Sequence, residues 1–68
     1  MENILLHSGE QLLKATDIAH ILNISRAMAY RLMQLGEIRT VSIGTAKRVR
    51  KKDLIIYIEN NLSPMGEV

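Results

Sequence analysis

Asn23-Ile24-Ser25-Arg26-Ala27-Met28-Ala29-Tyr30-Arg31-Leu32-Met33 is the stretch around which the remaining residues arrange themselves. Ser25 is a strong N-cap residue, because its hydroxyl can accept a hydrogen bond from a free amide of the first helical turn. Behind it, Ala29, Leu32 and Met33 recur at spacings of three and four, which gives a helix one apolar face. The opposite face carries Arg26, Ala27, Met28, Tyr30 and Arg31. Asn23 tolerates a left-handed backbone and makes a turn, Ile24 drops into the core, and Gly36 supplies a left-handed C-cap. The stretch therefore reads as the turn and second helix of a helix-turn-helix. An ordinary amphipathic helix with a solvated polar side fits the same letters, so the neighbouring segments have to decide.

The preceding segment, residues 12–22, carries Ile18, Ala19, Ile21 and Leu22 in helical spacing. Its helix is expected to start between Lys14 and Asp17, with Thr16 or Asp17 favoured at the positive end of the helix dipole. So short a helix depends on packing against the next one.

After Gly36 the period changes from about 3.6 to two. Val41 and Ile43 alternate with Thr40 and Ser42, and Val49 alternates with Arg48 and Arg50. With Gly44-Thr45-Ala46 as the hairpin tip, Val41, Ile43 and Val49 are expected to face the core. Thr40, Ser42, Arg48 and Arg50 are then expected to face out. A β-hairpin with arginines on its open face, directly after a helix-turn-helix, is a wing. Residues 52–61 follow as a closing helix that starts near Asp53 and stops at Asn60-Asn61 and Ser63-Pro64. Leu54, Tyr57, Ile58 and Asn61 fall on one of its faces and Ile55 and Ile56 lie off it, so periodicity alone also admits a buried strand.

The fold class expected is small α+β, mainly helical: two helices, a β-hairpin wing and a closing helix over residues 12–61. Residues 1–11 form an N-terminal extension. Its Ile4-Leu5-Leu6 run reads as a strand on the core, a contact for a second subunit, or a frayed end. Residues 62–68 are expected to be a disordered tail.

Composition and charge bound the function. The 68 residues hold no Phe, Trp or Cys and two Tyr, so one small core must be built from Ile, Leu, Val, Ala and Met. The absence of Cys removes disulfides and thiolate metal sites and fits an intracellular protein. No apolar run approaches the ~18–20 residues of a membrane span. Met1-Glu2-Asn3 lacks the cationic start of a signal peptide, so a cytoplasmic location is expected.

The formal net charge of +2 is unevenly spread. Residues 25–52 hold Arg26, Arg31, Arg39, Lys47, Arg48, Arg50, Lys51 and Lys52 against Glu37 alone, while the flanking segments are net acidic. A basic block that coincides with the second helix and the wing is the footprint of a polyanion-binding surface, although solvated basic faces are also common in small domains.

Individual residues sharpen this reading. Arg26 suits guanine or phosphate and Arg31 suits phosphate. Tyr30 either reaches a phosphate with its hydroxyl or covers the core with its ring. Ala27 and Met28 suit thymine methyls. His7 and His20 lack the carboxylate or thiol company of a metal site. Asp17, His20 and Ser25 contain the letters of a hydrolytic triad, but Asp17 and His20 sit one turn apart on a short helix and Ser25 has a cap to make. No enzyme activity, metal or cofactor is expected.

Leu12-Leu13, Ile24-Ser25-Arg26, Tyr30-Arg31-Leu32, Gly36-Glu37-Ile38, Ile43-Gly44, Arg48-Val49 and Asp53-Leu54 together resemble the excisionase-family DNA-binding domain, a winged helix related to the mercury-resistance-regulator superfamily. The resemblance covers roughly residues 12–60. It implies that Ser25 opens a recognition helix whose Arg26, Ala27, Met28, Tyr30 and Arg31 meet the major groove. It also implies that the tip from Thr45 through Lys47 to Arg48, with Arg50 behind it, reaches an adjacent minor groove or its phosphates.

Six residues depart from the family's usual pattern. Lys14 stands where a helix-capping Thr is usual, and Arg39 where Pro is frequent. Thr45 replaces a common wing-tip cation, and Lys47 a frequent aromatic. Ile55 and Ile56 replace charged or small residues and put an apolar patch on the last helix.

The function implied is sequence-specific binding of double-stranded DNA. Two roles fit it: an excisionase-like directionality factor beside an integrase, or a compact transcription regulator. The alternative is a protein-interaction module on the same scaffold, with Ile55 and Ile56 as its contact or as a surface for self-association.

Overall fold

The computed structural model describes residues 12–63. The expectations for the Ile4-Leu5-Leu6 run, for residues 1–11 and for the tail beyond residue 63 lie outside them. Six elements follow in order: β1 (Leu12–Leu13), α1 (Ala15–Leu22), α2 (Arg26–Gln34), β2 (Val41–Ile43), β3 (Ala46–Arg50) and α3 (Lys51–Asn60). Three helices and an antiparallel three-stranded sheet in the order β1-β3-β2 make a winged helix-turn-helix.

The helix ends are set by short-range chemistry. At the start of α1, Asp17 accepts the Lys14 backbone N–H at 2.9 Å, which also places its charge at the positive end of the helix dipole. The Lys14 ammonium cannot return the bond, so only the carboxylate half of a capping box forms. At the other end Asn23 lies at φ 58°, ψ 48°. Its N–H donates to the His20 carbonyl at 3.3 Å, and the Ile24 N–H donates to the Ala19 carbonyl at 2.9 Å. This pair of bonds is a Schellman motif. The half-buried Ile24 that follows packs against the core, which fixes the angle at which the chain leaves α1.

α2 opens on Ser25, whose hydroxyl accepts the Met28 N–H at 3.0 Å. It closes on a second Schellman motif. Gly36, at φ 79°, donates its N–H to the Met33 carbonyl, and Glu37 donates to the Leu32 carbonyl.

The core joins Ala15 and Ile18 of α1, Ala29 and Met33 of α2, Ile38 from the link, Val49 of β3 and Leu54 of α3. Ile18, Ile38 and Val49 are fully enclosed; each is worth about 1.5–3 kcal/mol against exposure. Ala29, equally enclosed, lets α1 and α2 approach closely.

The wing corrects the sequence reading in register. Ile43 pairs with Ala46, Ser42 with Lys47, and Val41 with Arg48. The loop is therefore the two residues Gly44-Thr45, with Gly44 at φ 61° in the first loop position, where a type II′ turn places glycine. Cross-strand partners share a face of the sheet. Val41 and Ile43 thus share theirs with Arg48 and Ala46, on the side opposite Val49. Ile43 is 53% exposed instead of core-facing, Val41 is half-buried, and Arg48 and Arg50 are half-buried instead of open to solvent. Thr40, also half-buried, donates its hydroxyl to the Ile38 carbonyl at 2.8 Å.

Two further differences concern the ends of the domain. Leu12 and Leu13 form a strand that pairs with Arg50 and Val49, which puts Leu13 on the core side. On α3, Leu54 is buried and Tyr57 half-buried, while Ile58 and Asn61 are exposed. The inner face of α3 is narrower than its spacing suggests: Leu54 and Tyr57, one turn apart, are the residues it packs on the core.

Candidate nucleic-acid interface

With Ala29 and Met33 turned inward, helical geometry sets Ala27 and Arg31 opposite them and Met28 and Tyr30 on the flanks; Arg26 shares the side of Ala29 and Met33 but stands at the first position of the helix, and all five are exposed. Tyr30 is 54% exposed and Met28 45%. Of the two placements open to Tyr30, the observed one leaves over half of it accessible.

The wing stands beside this surface. Thr45 is exposed at its tip. Lys47 donates its ammonium to the Ser42 hydroxyl at 2.9 Å, and Arg48 donates Nη1 to the Lys47 carbonyl at 2.9 Å. Between α2 and the wing runs a groove of about 720 Å³ lined by Tyr30, Met33, Gln34, Thr40, Ser42 and Lys47. On the other side of Tyr30 lies a recess of about 280 Å³, bounded by Lys14, the N-cap residue of α1, by Thr16 of its first turn, and by Thr45, Lys47 and Arg48 of the wing. The tyrosine is common to both.

Arg50 is placed differently from the other cations assigned to the interface. Its guanidinium donates Nε to Asp53 Oδ2 at 2.6 Å and Nη2 to Oδ1 at 3.2 Å. The Asp53 side chain is only 3% exposed and that of Arg50 34%. The bridge joins the end of the wing to the first turn of α3.

The model of the helix-turn-helix domain family matches residues 12–62, from β1 to just beyond α3. The chain belongs to the helix-turn-helix domain family. Neither a curated protein nor a solved structure matches it.

In this helix-turn-helix domain, the basic block of residues 25–52 falls on α2, the wing and the entry to α3. Helix-turn-helix DNA-binding domains are typically non-enzymatic, and the three triad letters have other placements here: Asp17 caps α1, Ser25 caps α2, and His20 is exposed. Among the described residues no three metal-ligating side chains come together, and no helix is long and apolar enough to cross a membrane.

Sequence reasoning did not place Lys14, Thr16 and Ser42 beside α2 and the wing, because each lies outside the second helix and the wing tip. It also missed the Arg50–Asp53 bridge, although the spacing of three residues across a strand-to-helix junction was a usable signal. Ile55 and Ile56 are 47% and 49% exposed on α3.

Proposed function

We propose that this helix-turn-helix domain binds double-stranded DNA sequence-specifically, with α2 in the major groove and the wing at the adjacent minor groove or the phosphates beside it. The observation that carries the reading is the exposed surface of α2. Arg26 and Arg31 supply charge, Ala27 and Met28 supply apolar contact, and Tyr30 supplies a hydroxyl, all exposed on one helix flanked by the cations of the wing. That mixture meets base edges, thymine methyls and phosphates together. Two roles fit: an excisionase-like recombination directionality factor acting beside an integrase, which the breadth of the family supports, or a compact transcription regulator. Either role works on DNA in the cytoplasm or nucleoid.

A binding titration against random-sequence duplex at several salt concentrations tests the reading. If ~4–6 phosphates are neutralised, log K falls with log salt at a slope of about −4 to −5; a slope near zero refutes it. On a target selected from a random pool, Arg26→Ala lowers discrimination against random DNA by about 1–3 kcal/mol if it reads a base. Equal losses on both DNAs would remove Arg26 from base reading.

A second reading is favoured by the exposure of Ile55 and Ile56. Two adjacent half-exposed isoleucines on a helix that already covers the core with Leu54 and Tyr57 form an apolar contact for a partner protein or a second copy on DNA.

A further inference from the structure

The recess beside Tyr30 owes its existence to the brevity of β1. Leu12 and Leu13 pair with Arg50 and Val49 only, after which the chain leaves the sheet and enters α1. The edge of β3 at Ala46, Lys47 and Arg48 is therefore left open towards the first turn of α1. Antiparallel pairing alternates, so residues flanking a hydrogen-bonded pair turn their backbone groups to the other side. Lys47 accordingly presents its N–H and C=O to this open edge, and its carbonyl is taken by the Arg48 guanidinium.

The walls of the recess bring together Lys14 and Thr16 from α1, Tyr30 from α2, and Thr45, Lys47 and Arg48 from the wing. Lys14 and Arg48 bring charge and Thr16, Tyr30 and Thr45 bring hydroxyls, Lys47 lines the space while its ammonium rests on the Ser42 hydroxyl, and no carboxylate among the described residues lines the space. The nearest acid in sequence, Asp17, is held on the Lys14 backbone N–H.

We infer that this recess is a seat for a single DNA phosphodiester, gripped from one side by Lys14 and Thr16 and from the other by Lys47 and Arg48, with Tyr30 between them. The inference rests on the DNA-binding reading and adds to it a contact by the first helix. The strand backbone that enters the groove between α2 and the wing passes Tyr30 into the recess. The wing edge and the start of α1 then close on the same phosphate. A phosphodiester carries one charge and oxygen acceptors only, which matches a site made of ammonium, guanidinium and hydroxyl donors. On this assignment the root of the wing acts as half of a backbone clasp, so its cations fix register and contribute little to base choice.

The test is a double-variant cycle read through salt dependence on a short random-sequence duplex. Lys14→Gln and Arg48→Gln are each expected to lower the magnitude of the slope of log K against log salt by about 0.9, the value of one phosphate. Because the phosphate is held only when both sides of the seat close on it, either single variant releases it, and the double variant is expected to lose the same ~0.9 in all and not about 1.8. Arg31→Gln, which does not line the recess, adds its own loss to either single variant.

Lys14 is exposed, so its replacement keeps the fold. Arg48 is half-buried, and if its replacement unfolds the protein in a thermal melt, the cycle of Lys14→Gln with Lys47→Gln carries the same expectation through an exposed residue. Additive losses for Lys14 and its wing partner, or an unchanged slope for Lys14→Gln, overturn the shared seat while leaving DNA binding intact. A slope near zero in the unmodified protein overturns both.

Discussion

Arg50→Ala is expected to destabilise the free protein by about 2 kcal/mol, with no DNA present. Asp53 is enclosed, its side chain 3% exposed, and both its oxygens receive the Arg50 guanidinium. Removing one partner of a fully buried pair costs about 3–5 kcal/mol, because the other charge is stranded away from water. An exposed pair contributes about 0–1 kcal/mol. This bridge lies between those limits, since the arginine side chain is 34% exposed and the amides of α3's first turn offer the carboxylate some compensation.

A chain of this length has a total stability of about 3–10 kcal/mol, so the loss is large. At about 4–8 °C per kcal/mol for a domain of this size, Tm falls by about 8–16 °C. Asp53→Ala is expected to cost less than Arg50→Ala, because the remaining guanidinium can turn to solvent whereas a remaining carboxylate cannot. The assay is thermal and urea unfolding followed by circular dichroism for both single variants and the double variant. In the double variant part of the loss is recovered, since neither charge is left alone. A loss below about 0.5 kcal/mol for Arg50→Ala, the range of ordinary surface substitutions, would refute the assignment. So would a larger cost for Asp53→Ala.

Two further outcomes follow from particular contacts. Ser25→Ala removes the acceptor for the Met28 N–H and is expected to cost about 0.5–2 kcal/mol in urea unfolding, whereas Ser25→Asp restores most of it; equal stability of Ser25→Ala and the unmodified protein would deny the cap. Ile55→Glu combined with Ile56→Lys is expected to leave the monomer folded and to abolish cooperative assembly or partner binding, measured by analytical ultracentrifugation and by the steepness of DNA titrations; unfolding of the monomer would show that the pair belongs to the core.

α2 was legible because each of its ends is written in one residue. Ser25 makes the cap, and Asn23 and Gly36 occupy the left-handed positions that close α1 and α2. The periodic positions Ala29 and Met33 then have only one way to face. The wing was legible as a hairpin but not in its register, and the difference is one loop residue. A three-residue loop of Gly44, Thr45 and Ala46 sets Val41 opposite Val49 and brings all three branched residues to one side. The observed two-residue loop sets Val41 opposite Arg48 and turns Val41 and Ile43 to the other face. Alternation within each strand is the same in both cases, so period-two patterning cannot choose between them. β1 was illegible for a simpler reason, since two residues have no period.

The shifted register has a consequence for where function can reside. The wing contributes Val49 to the buried core, next to Leu13, and nothing beyond it towards the tip is enclosed. From Ser42 to Lys47 every residue but Ala46 is exposed, and the described side-chain bonds of this part are local ones, Lys47 to Ser42 and Arg48 to the neighbouring carbonyl. Substitution there removes little buried area, so it alters what the wing touches without greatly altering stability. At the root the balance is reversed: Arg50 holds a buried carboxylate and spans the junction to α3. The cations that the sequence presents as one basic run, Lys47 to Lys52, therefore divide at Val49. Those before it line the groove and the recess beside Tyr30 and Lys14, and Arg50 after it anchors the wing that carries them.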